Sequence, residues 1–143
     1  MNKNFFKQRE GIDESSPIDL QLCLSHLTFN SDGLIPVITQ CIKTGEILMQ
    51  AWMNITAVER TLESKRVTYW SRSRKQYWIK GETSGHVQHL KSMRFDCDGD
   101  VILCLVEQEG SACHTGRLSC FYLEINTEKD QVQLCKPIYS ETM

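Results

Sequence analysis

The residues of this chain that are best suited to metal chemistry lie in one segment, residues 96–120. Three cysteines, three aspartates and one histidine fall there: Cys97, Cys113, Cys120, Asp96, Asp98, Asp100 and His114. Thiolates and imidazoles are ligands that zinc prefers, whereas carboxylate oxygens suit a hard cation such as magnesium. The segment therefore predicts two metal sites, one for zinc and one for magnesium, in a hydrolytic enzyme.

The spacing of Cys97, Cys113 and Cys120 favours a catalytic zinc over a structural zinc finger. Neither interval is the C-x-x-C of a zinc knuckle, and three protein ligands leave a fourth position open for water. Zinc lowers the pKa of such a water to about 7. The alternative is that these cysteines are small buried hydrophobic residues, which is how we interpret the remaining ones: Cys23, Cys41, Cys104 and Cys135.

The aspartates alternate with other residues, so in an extended segment Asp96, Asp98 and Asp100 would share one face and Cys97 would point to the other. An EF-hand loop fits the same aspartates, but it requires glycine where Val101 stands. A solvated acidic turn is the remaining alternative. Because they are interleaved with a candidate zinc ligand, we interpret the aspartates as magnesium ligands.

His114 follows Cys113 directly, and it is a candidate general acid–base or a fourth metal ligand. The remaining candidates bind substrate in a basic and aromatic segment: Arg72, Arg74, Lys80, Thr83, Ser84 and Gly85. Cations and backbone amides bind phosphate, and the neighbouring tryptophans can stack on a base. The segment predicts a phosphorylated purine as substrate. Single-stranded nucleic acid, or an exposed hairpin with half-buried tryptophans, are the alternatives.

The elements that position these residues are mostly strands. The one clear helix covers about residues 55–64, and its N-cap is Asn54 or a capping box of Thr56 with Glu59. Apolar or alternating runs predict strands at 34–38, 47–52, 67–70, 76–79, 87–95, 101–106, 121–125 and 132–135. Together they predict an α+β, mostly antiparallel β fold: a compact β-sandwich or barrel-like domain with one main helix.

The length of 143 residues, with 41% hydrophobic and 24% charged residues, fits one globular domain. We expect a flexible lead-in at 1–17 and a single domain at 18–143, with its motifs in 33–125. A net charge of -2 argues against nucleic acid as a partner, and no apolar run is long enough to span a membrane. Seven cysteines without a secretion signal predict the cytoplasm.

Several motifs together resemble the phosphoribosyl-AMP cyclohydrolases of histidine biosynthesis. They are DCDGD at 96–100, EQEG at 107–110, ACHTG at 112–116, SCFY at 119–122, AWMN at 51–54, WSRSR at 70–74 and KGETSG at 80–85. The resemblance runs from about residue 33 to residue 122. It implies a hydrolase that opens the purine ring of 1-(5-phosphoribosyl)-AMP between N1 and C6.

The resemblance also implies a cytoplasmic homodimer whose active sites lie at the subunit interface. Zinc would be held by Cys97 from one subunit and by Cys113 and Cys120 from the other. Magnesium would be held by the three aspartates. We expect a zinc-bound hydroxide to attack C6 while His114 moves protons.

Two positions depart from the family pattern. Ser111 stands where the family usually has proline, which predicts a looser loop around Cys113, and Ile79 replaces a polar residue. Since the chain ends at Met143, we expect no fused pyrophosphohydrolase domain. Two rival functions remain: a structural-zinc module that binds single-stranded nucleic acid, and a thiol redox protein.

Overall fold

The computed structural model of the chain describes residues 4–10 and 17–135. Its elements follow in the order α1 (Asn4–Lys7), α2 (Leu20–Ser25), β1 (Ile35–Cys41), β2 (Ile47–Met53), α3 (Ile55–Ser64), β3 (Thr68–Ser71), β4 (Gln76–Ile79), β5 (Gln88–Phe95), β6 (Ile102–Gln108), β7 (Leu123–Asn126) and β8 (Gln131–Leu134). The α+β class is confirmed, and each predicted strand is present to within a few residues at its ends.

The largest sheet has four strands in the order β2-β1-β6-β5. Both outer pairs are antiparallel, whereas the central pair, β1 with β6, is parallel. A parallel pair requires a long crossover, which the chain from β2 to β5 provides here. β6 lies in the interior, and its residues Ile102, Cys104 and Val106 are fully buried. Its two ends fix where the preceding turn and the following loop lie.

The predicted barrel-like closure is wrong. β3 with β4 and β7 with β8 form separate two-stranded sheets, and among the described residues no strand joins β2 to β5. Irregular segments occupy the edges instead: Cys120 N donates to Leu48 O at 2.7 Å, and Leu90 N donates to Lys65 O at 2.8 Å. An edge covered in this way offers no continuous ladder to a further strand.

Helix α3 packs mainly against β3 and also contacts β2 at the edge of the main sheet, and it forms where it was predicted. Asn54 is its N-cap, because the side-chain oxygen accepts a hydrogen bond from Ala57 N at 2.8 Å. The buried residues Ala57, Val58 and Thr61 lie at helical spacing on one face. The helix ends at Ser64, and its C-cap Lys65 adopts the left-handed conformation with φ 62°.

The described part of the predicted lead-in, residues 4–10, packs on the domain. Phe5 is buried and stacks on His26 with ring centroids 3.8 Å apart, and Phe6 lies so close to Gly99 that a Cβ there would overlap its ring. Residues 11–16 of the lead-in and 136–143 of the predicted domain lie outside the described residues. In the described ranges no helix is long and apolar enough to cross a membrane.

The β7–β8 hairpin leaves one apolar face in solvent. Leu123 pairs with Leu134 and Ile125 pairs with Val132, so these four side chains lie on the same face. Each of them is more than half exposed. A two-stranded hairpin is marginally stable by itself, and this one presents its apolar face uncovered.

Candidate active site

The loop that follows β6 places Cys113 and Cys120 beside the edge of β2. Cys113 N donates to Arg117 O at 3.1 Å, and Gly116 N donates to Cys113 O at 3.0 Å, which closes a tight turn. Cys120 is then fixed by its backbone hydrogen bond to Leu48 on β2. We call residues 111–120 the thiol loop.

The side chains of Cys113 and Cys120 are hydrogen-bonded to each other. Burial acts to raise the pKa of Cys113, but hydrogen bonds from Thr115 and Cys120 and the charge of Arg117 lower it overall. The Thr115 hydroxyl donates to Cys113 Sγ at 3.0 Å. Burial and the neighbouring charge of Cys113 raise the pKa of Cys120 to about 11. Of the two thiols, Cys113 is therefore the one that loses its proton more easily.

Lys80 directs its ammonium group at the thiol loop. It is only 9% exposed, and its Nζ donates to Ala112 O at 2.6 Å. Burial lowers the pKa of Lys80, while negative charge on Cys120 and Cys113 acts in the opposite direction. A buried ammonium is costly unless it is paired, so the carbonyl and the thiol pair account for this position.

A cavity of about 640 Å³ lies between the segment after β4 and the thiol loop. Six of the predicted site residues line it: Arg74, Lys80, Thr83, Ser84, Cys113 and His114. Tyr77 and Trp78 add aromatic surface to its wall. The fold thus brings the basic segment and the thiol loop, which are distant in sequence, to one concave surface of the size that small-molecule sites have.

Two predicted substrate residues do not line this cavity. Arg72 lies over the Trp52 ring at 4.7 Å and lines a neighbouring cavity of about 570 Å³. Gly85 forms the turn before β5: its φ is 81°, and its N–H donates to Gly81 O at 2.8 Å. Gly85 therefore shapes the loop that carries Thr83 and Ser84.

Asp96, Asp98 and Asp100 cluster in the turn that precedes β6, and we call residues 96–100 the acidic turn. Their ligand oxygens lie within 4.8 Å of one another, and no other set of three acidic, histidine or cysteine residues in the described chain does so. The segment is a turn and not the extended strand that we expected, because Gly99 adopts φ 69° and Asp100 N donates to Asp96 Oδ1 at 2.9 Å. Hydrogen bonding to Asp96 and Asp98 raises the pKa of Asp100 to about 6.

Cys97 is exposed in the acidic turn, at the opposite end of β6 from the thiol loop. β6 has seven residues, so its two ends are roughly 20 Å apart. Within one chain, Cys97 therefore does not reach Cys113 and Cys120. The structure brings two of the three predicted zinc ligands together and leaves the third apart.

Known proteins resemble this chain over most of its length. Residues 49–122 match the family model of phosphoribosyl-AMP cyclohydrolase. A phosphoribosyl-AMP cyclohydrolase of Cereibacter sphaeroides (strain KD131 / KCTC 12085) is 59% identical over 108 residues, which cover 76% of this chain and 91% of the relative. Another, from Hydrogenovibrio crunogenus, is 50% identical over 133 residues, 93% of this chain and 90% of the relative.

The chain belongs to the phosphoribosyl-AMP cyclohydrolase family. The resemblance seen in the sequence motifs is thereby confirmed, and with it the assignment to an enzyme family of hydrolases. The family match includes the acidic turn and the thiol loop, and it ends just before β7. The β7–β8 hairpin and the residues before Met49 lie outside it.

Sequence reasoning missed His86, which it left without a role. The structure places His86 in the cavity wall, with Nδ1 3.1 Å from Ser111 Oγ. Ser111, which we expected to loosen the thiol loop, is buried and tied down by this hydrogen bond. The KGETSG motif that ends immediately before His86 was the available signal, since it puts the imidazole on the same loop as three substrate candidates.

Proposed function

We propose that this chain catalyses the hydrolysis of 1-(5-phosphoribosyl)-AMP between N1 and C6, in histidine biosynthesis. Family membership and the names of the relatives support the reaction. The observation that carries the proposal is the thiol pair of Cys113 and Cys120, which lies against Lys80 beside a cavity lined with phosphate-binding side chains. We propose the cytoplasm as its compartment, which agrees with seven cysteines that are all unpaired.

The residues present fit a zinc ion. Its surroundings lower the pKa of Cys113, Cys120 is in hydrogen-bond contact with it, and the ammonium group of Lys80 would balance part of the charge of the thiolates. Cys113 and Cys120 would hold the ion, with Cys97 as the third ligand. When bound, zinc supplies Lewis acidity that makes water nucleophilic at neutral pH.

The position of Cys97 supports a site shared between two copies of the chain. In one copy, Cys97 lies in the turn before β6 and the thiol pair lies in the loop after it, and the three sulfur atoms do not come within 4.8 Å of one another. A second copy arranged about a two-fold axis would bring the acidic turn of each to the thiol loop of the other. The exposed apolar face of the β7–β8 hairpin begins three residues after Cys120, and we propose that it is part of the surface that receives this second copy.

The acidic turn is the proposed magnesium site. The carboxylates of Asp96, Asp98 and Asp100 are within reach of one cation, and hard cations of this kind take oxygen ligands. The turn is braced by Thr28 N, which donates to Gly99 O at 2.7 Å. A cation held there would offset the negative charge of the carboxylates and of the substrate's phosphates once a second copy closes the site.

Substrate phosphate is assigned to Arg74, Thr83 and Ser84, which line the cavity with free access to solvent. An arginine fork and hydroxyl donors suit phosphate oxygens. Lys80 was predicted for the same task, but its Nζ already donates to Ala112 O, so its proposed role is to neutralise the thiol loop. Arg72 lies in the adjoining cavity, where a second phosphate of the substrate would reach it.

His114 is the proposed acid–base group. It is exposed at the cavity wall and is adjacent in sequence to Cys113. The phosphoribosyl group on N1 makes C6 electrophilic, so water adds at C6 and the N1–C6 bond breaks. One proton of the water must reach N1, and an imidazole can accept that proton on one nitrogen and donate it to N1. The cavity walls hold the ring in place for this transfer.

The first test is turnover of 1-(5-phosphoribosyl)-AMP by the purified protein with magnesium, before and after treatment with a chelator. We expect ring opening that the chelator abolishes and that zinc with magnesium restores. AMP is the matched control substrate, because it has the same purine but no substituent on N1, and it should not react. Absence of turnover by a zinc-loaded protein would contradict the proposal and favour a binding module.

The shared site is tested by mixing two inactive variants, Cys97→Ala and Cys113→Ala. If each site takes ligands from both copies, a mixed dimer has one complete site, and an equal mixture recovers about one quarter of the wild-type activity. A mixture of Cys113→Ala with Cys120→Ala is the control and should stay inactive, because both changes lie in the same half of the site. Equal recovery in both mixtures, or in neither, would contradict sharing.

A further inference from the structure

His86 links three segments at the cavity wall. Its Nδ1 lies 3.1 Å from the hydroxyl of Ser111, the first residue of the thiol loop. Its N–H donates to Ser84 Oγ at 3.2 Å, and its carbonyl accepts from Gln108 Nε2 at 3.1 Å. One residue therefore connects the loop after β4, the end of β6 and the thiol loop.

Two glycines make room for His86. Gly110 has φ 68°, and a Cβ at this position would stand 2.5 Å from His86 Cδ2. Gly81 has φ 84°, and a Cβ there would overlap the backbone of His86 and Val87. Both positions need glycine for conformation and for space. The imidazole thus lies against the backbone at Gly110, and the backbone of His86 lies against Gly81.

Behind His86, a hydrogen-bonded network runs into the core. Gln108 accepts from Gln88 Nε2 at 2.8 Å, and Gln88 Oε1 accepts from the hydroxyl of Tyr69 at 2.6 Å. That hydroxyl is 2.7 Å from Thr39 Oγ1 on β1. Tyr69, Gln88 and Thr39 are fully buried, and a buried network whose members are satisfied specifies one arrangement of its groups. His86 is therefore anchored to the rigid part of the fold.

We infer that His86 is a positioning residue for the thiol loop, acting through the hydrogen bond between its Nδ1 and Ser111. Ser111 is only 4% exposed, so a hydroxyl without this partner would carry a desolvation cost. The backbone after Ser111 includes Ala112, whose carbonyl receives Lys80, and Cys113. The inference deepens the proposed function and rests on it for its effect on turnover, whereas its effect on the loop is measurable without substrate.

Replacing His86 by asparagine or by glutamine distinguishes the roles of its two ring nitrogens. The asparagine amide reaches about as far as Nδ1, and the glutamine amide reaches about as far as Nε2, so only His86→Asn retains a partner for Ser111. We expect His86→Gln and Ser111→Ala to speed deuterium exchange in residues 111–120 and to speed zinc loss to a chelator by about tenfold. His86→Asn should stay near wild type in both measurements. His89→Gln, on the neighbouring strand β5, is the control.

A double variant tests whether His86 acts on the thiol loop through Ser111. If His86 acts through Ser111, adding Ser111→Ala to His86→Gln should cause no further acceleration of exchange. Additive effects, or equal losses in His86→Asn and His86→Gln, would overturn the inference, because the ring or its Nε2 would then carry the role. If the wild-type protein shows no turnover, the proposed function fails but the role of His86 does not, because deuterium exchange is measured without substrate.

Discussion

The acidic turn before β6 and the thiol loop after it carry the two predicted groups of metal ligands, and they differ in burial, charge and support. The acidic turn is open to solvent, and its carboxylates are held mainly by the turn itself. In the thiol loop, Cys113 is buried, the backbone is tied to β2, and Lys80 and His86 contact it from a separate segment. The same strand therefore ends in two sites of different rigidity.

This difference matches what each of the two proposed metals would require. An exposed carboxylate turn suits a cation that exchanges and that shares its coordination with water and substrate. A pair of thiols of which Cys113 is buried, with the ammonium group of Lys80 nearby, suits a metal that stays bound. The strand between them also fixes their separation, so the proposed zinc site would need Cys97 from a second copy of the chain.

The largest loss of activity is expected from a substitution in the thiol loop. Cys113→Ser should abolish both zinc content and turnover, because serine lacks the thiolate that the environment of Cys113 stabilises. Metal analysis of the purified variant and an activity assay measure the two losses. Cys135→Ser is the control, because Cys135 is exposed and lies outside the family match. A zinc-loaded, active Cys113→Ser protein would remove Cys113 from the site.

The next effect concerns the apolar face of the β7–β8 hairpin, the proposed contact surface between two copies of the chain. Ile125→Lys places a charge on the apolar face of the β7–β8 hairpin, and we expect the dimer Kd to rise by roughly tenfold or more. Turnover should fall at low protein concentration and recover at high concentration. Glu124→Lys is the matched control, because Glu124 lies on the opposite, polar face. Sedimentation measures the dimer, and equal behaviour of both variants would exclude this face.

A smaller effect on turnover is expected from a substitution in the acidic turn. Asp98→Asn removes one charged ligand of the acidic turn, so we expect the magnesium concentration for half-maximal turnover to rise by about tenfold. Zinc content should not change, because Asp98 is not a zinc ligand in the proposed site. Asp32→Asn, in an exposed turn elsewhere, is the control for the loss of a charge. Loss of zinc in Asp98→Asn would contradict the separation of the two sites.

Local structure was largely predictable from the sequence because local signals decide it. Asn54 and the spacing of Ala57, Val58 and Thr61 specify α3, and alternating or continuous apolar runs specify the strands. Periodicity does not say which strand pairs with which, so the parallel pairing of β1 with β6 was not visible. The barrel-like closure was wrong for the same reason, since coil segments at the sheet edges have no periodic pattern.

The candidate site was predictable in its residue types but not in its contacts. The cysteines and aspartates of residues 96–120 were predicted as metal ligands because few other roles account for both residue types in one short segment. Lys80 reaches a carbonyl 32 positions away and His86 reaches a hydroxyl 25 positions away, and no local pattern encodes either pair. The acidic turn was expected to be extended, and the left-handed backbone at Gly99 made it a turn.

The smallest expected effect is a difference in reactivity between two thiols of the main sheet, Cys41 at the end of β1 and Cys104 within β6. Burial raises the pKa of Cys104 to about 12. Burial also acts on Cys41, but hydrogen bonds from Thr44 and Lys43 lower its pKa overall. A lower pKa means a larger thiolate fraction at pH 8. Iodoacetamide should therefore label Cys41 in the native protein and Cys104 only after unfolding, without loss of activity.

Cys41 and Cys104 serve as internal references when the labelling of the thiols before and after β6 is measured. With Cys41 as the reactive reference and Cys104 as the protected one, mass spectrometry of the zinc-loaded protein reports which other thiols the metal protects. Protection of Cys97 together with Cys113 and Cys120 would place the acidic turn of one copy at the thiol loop of another. Free labelling of Cys97 while the other two stay protected would contradict the shared site and leave the zinc on the thiol pair alone.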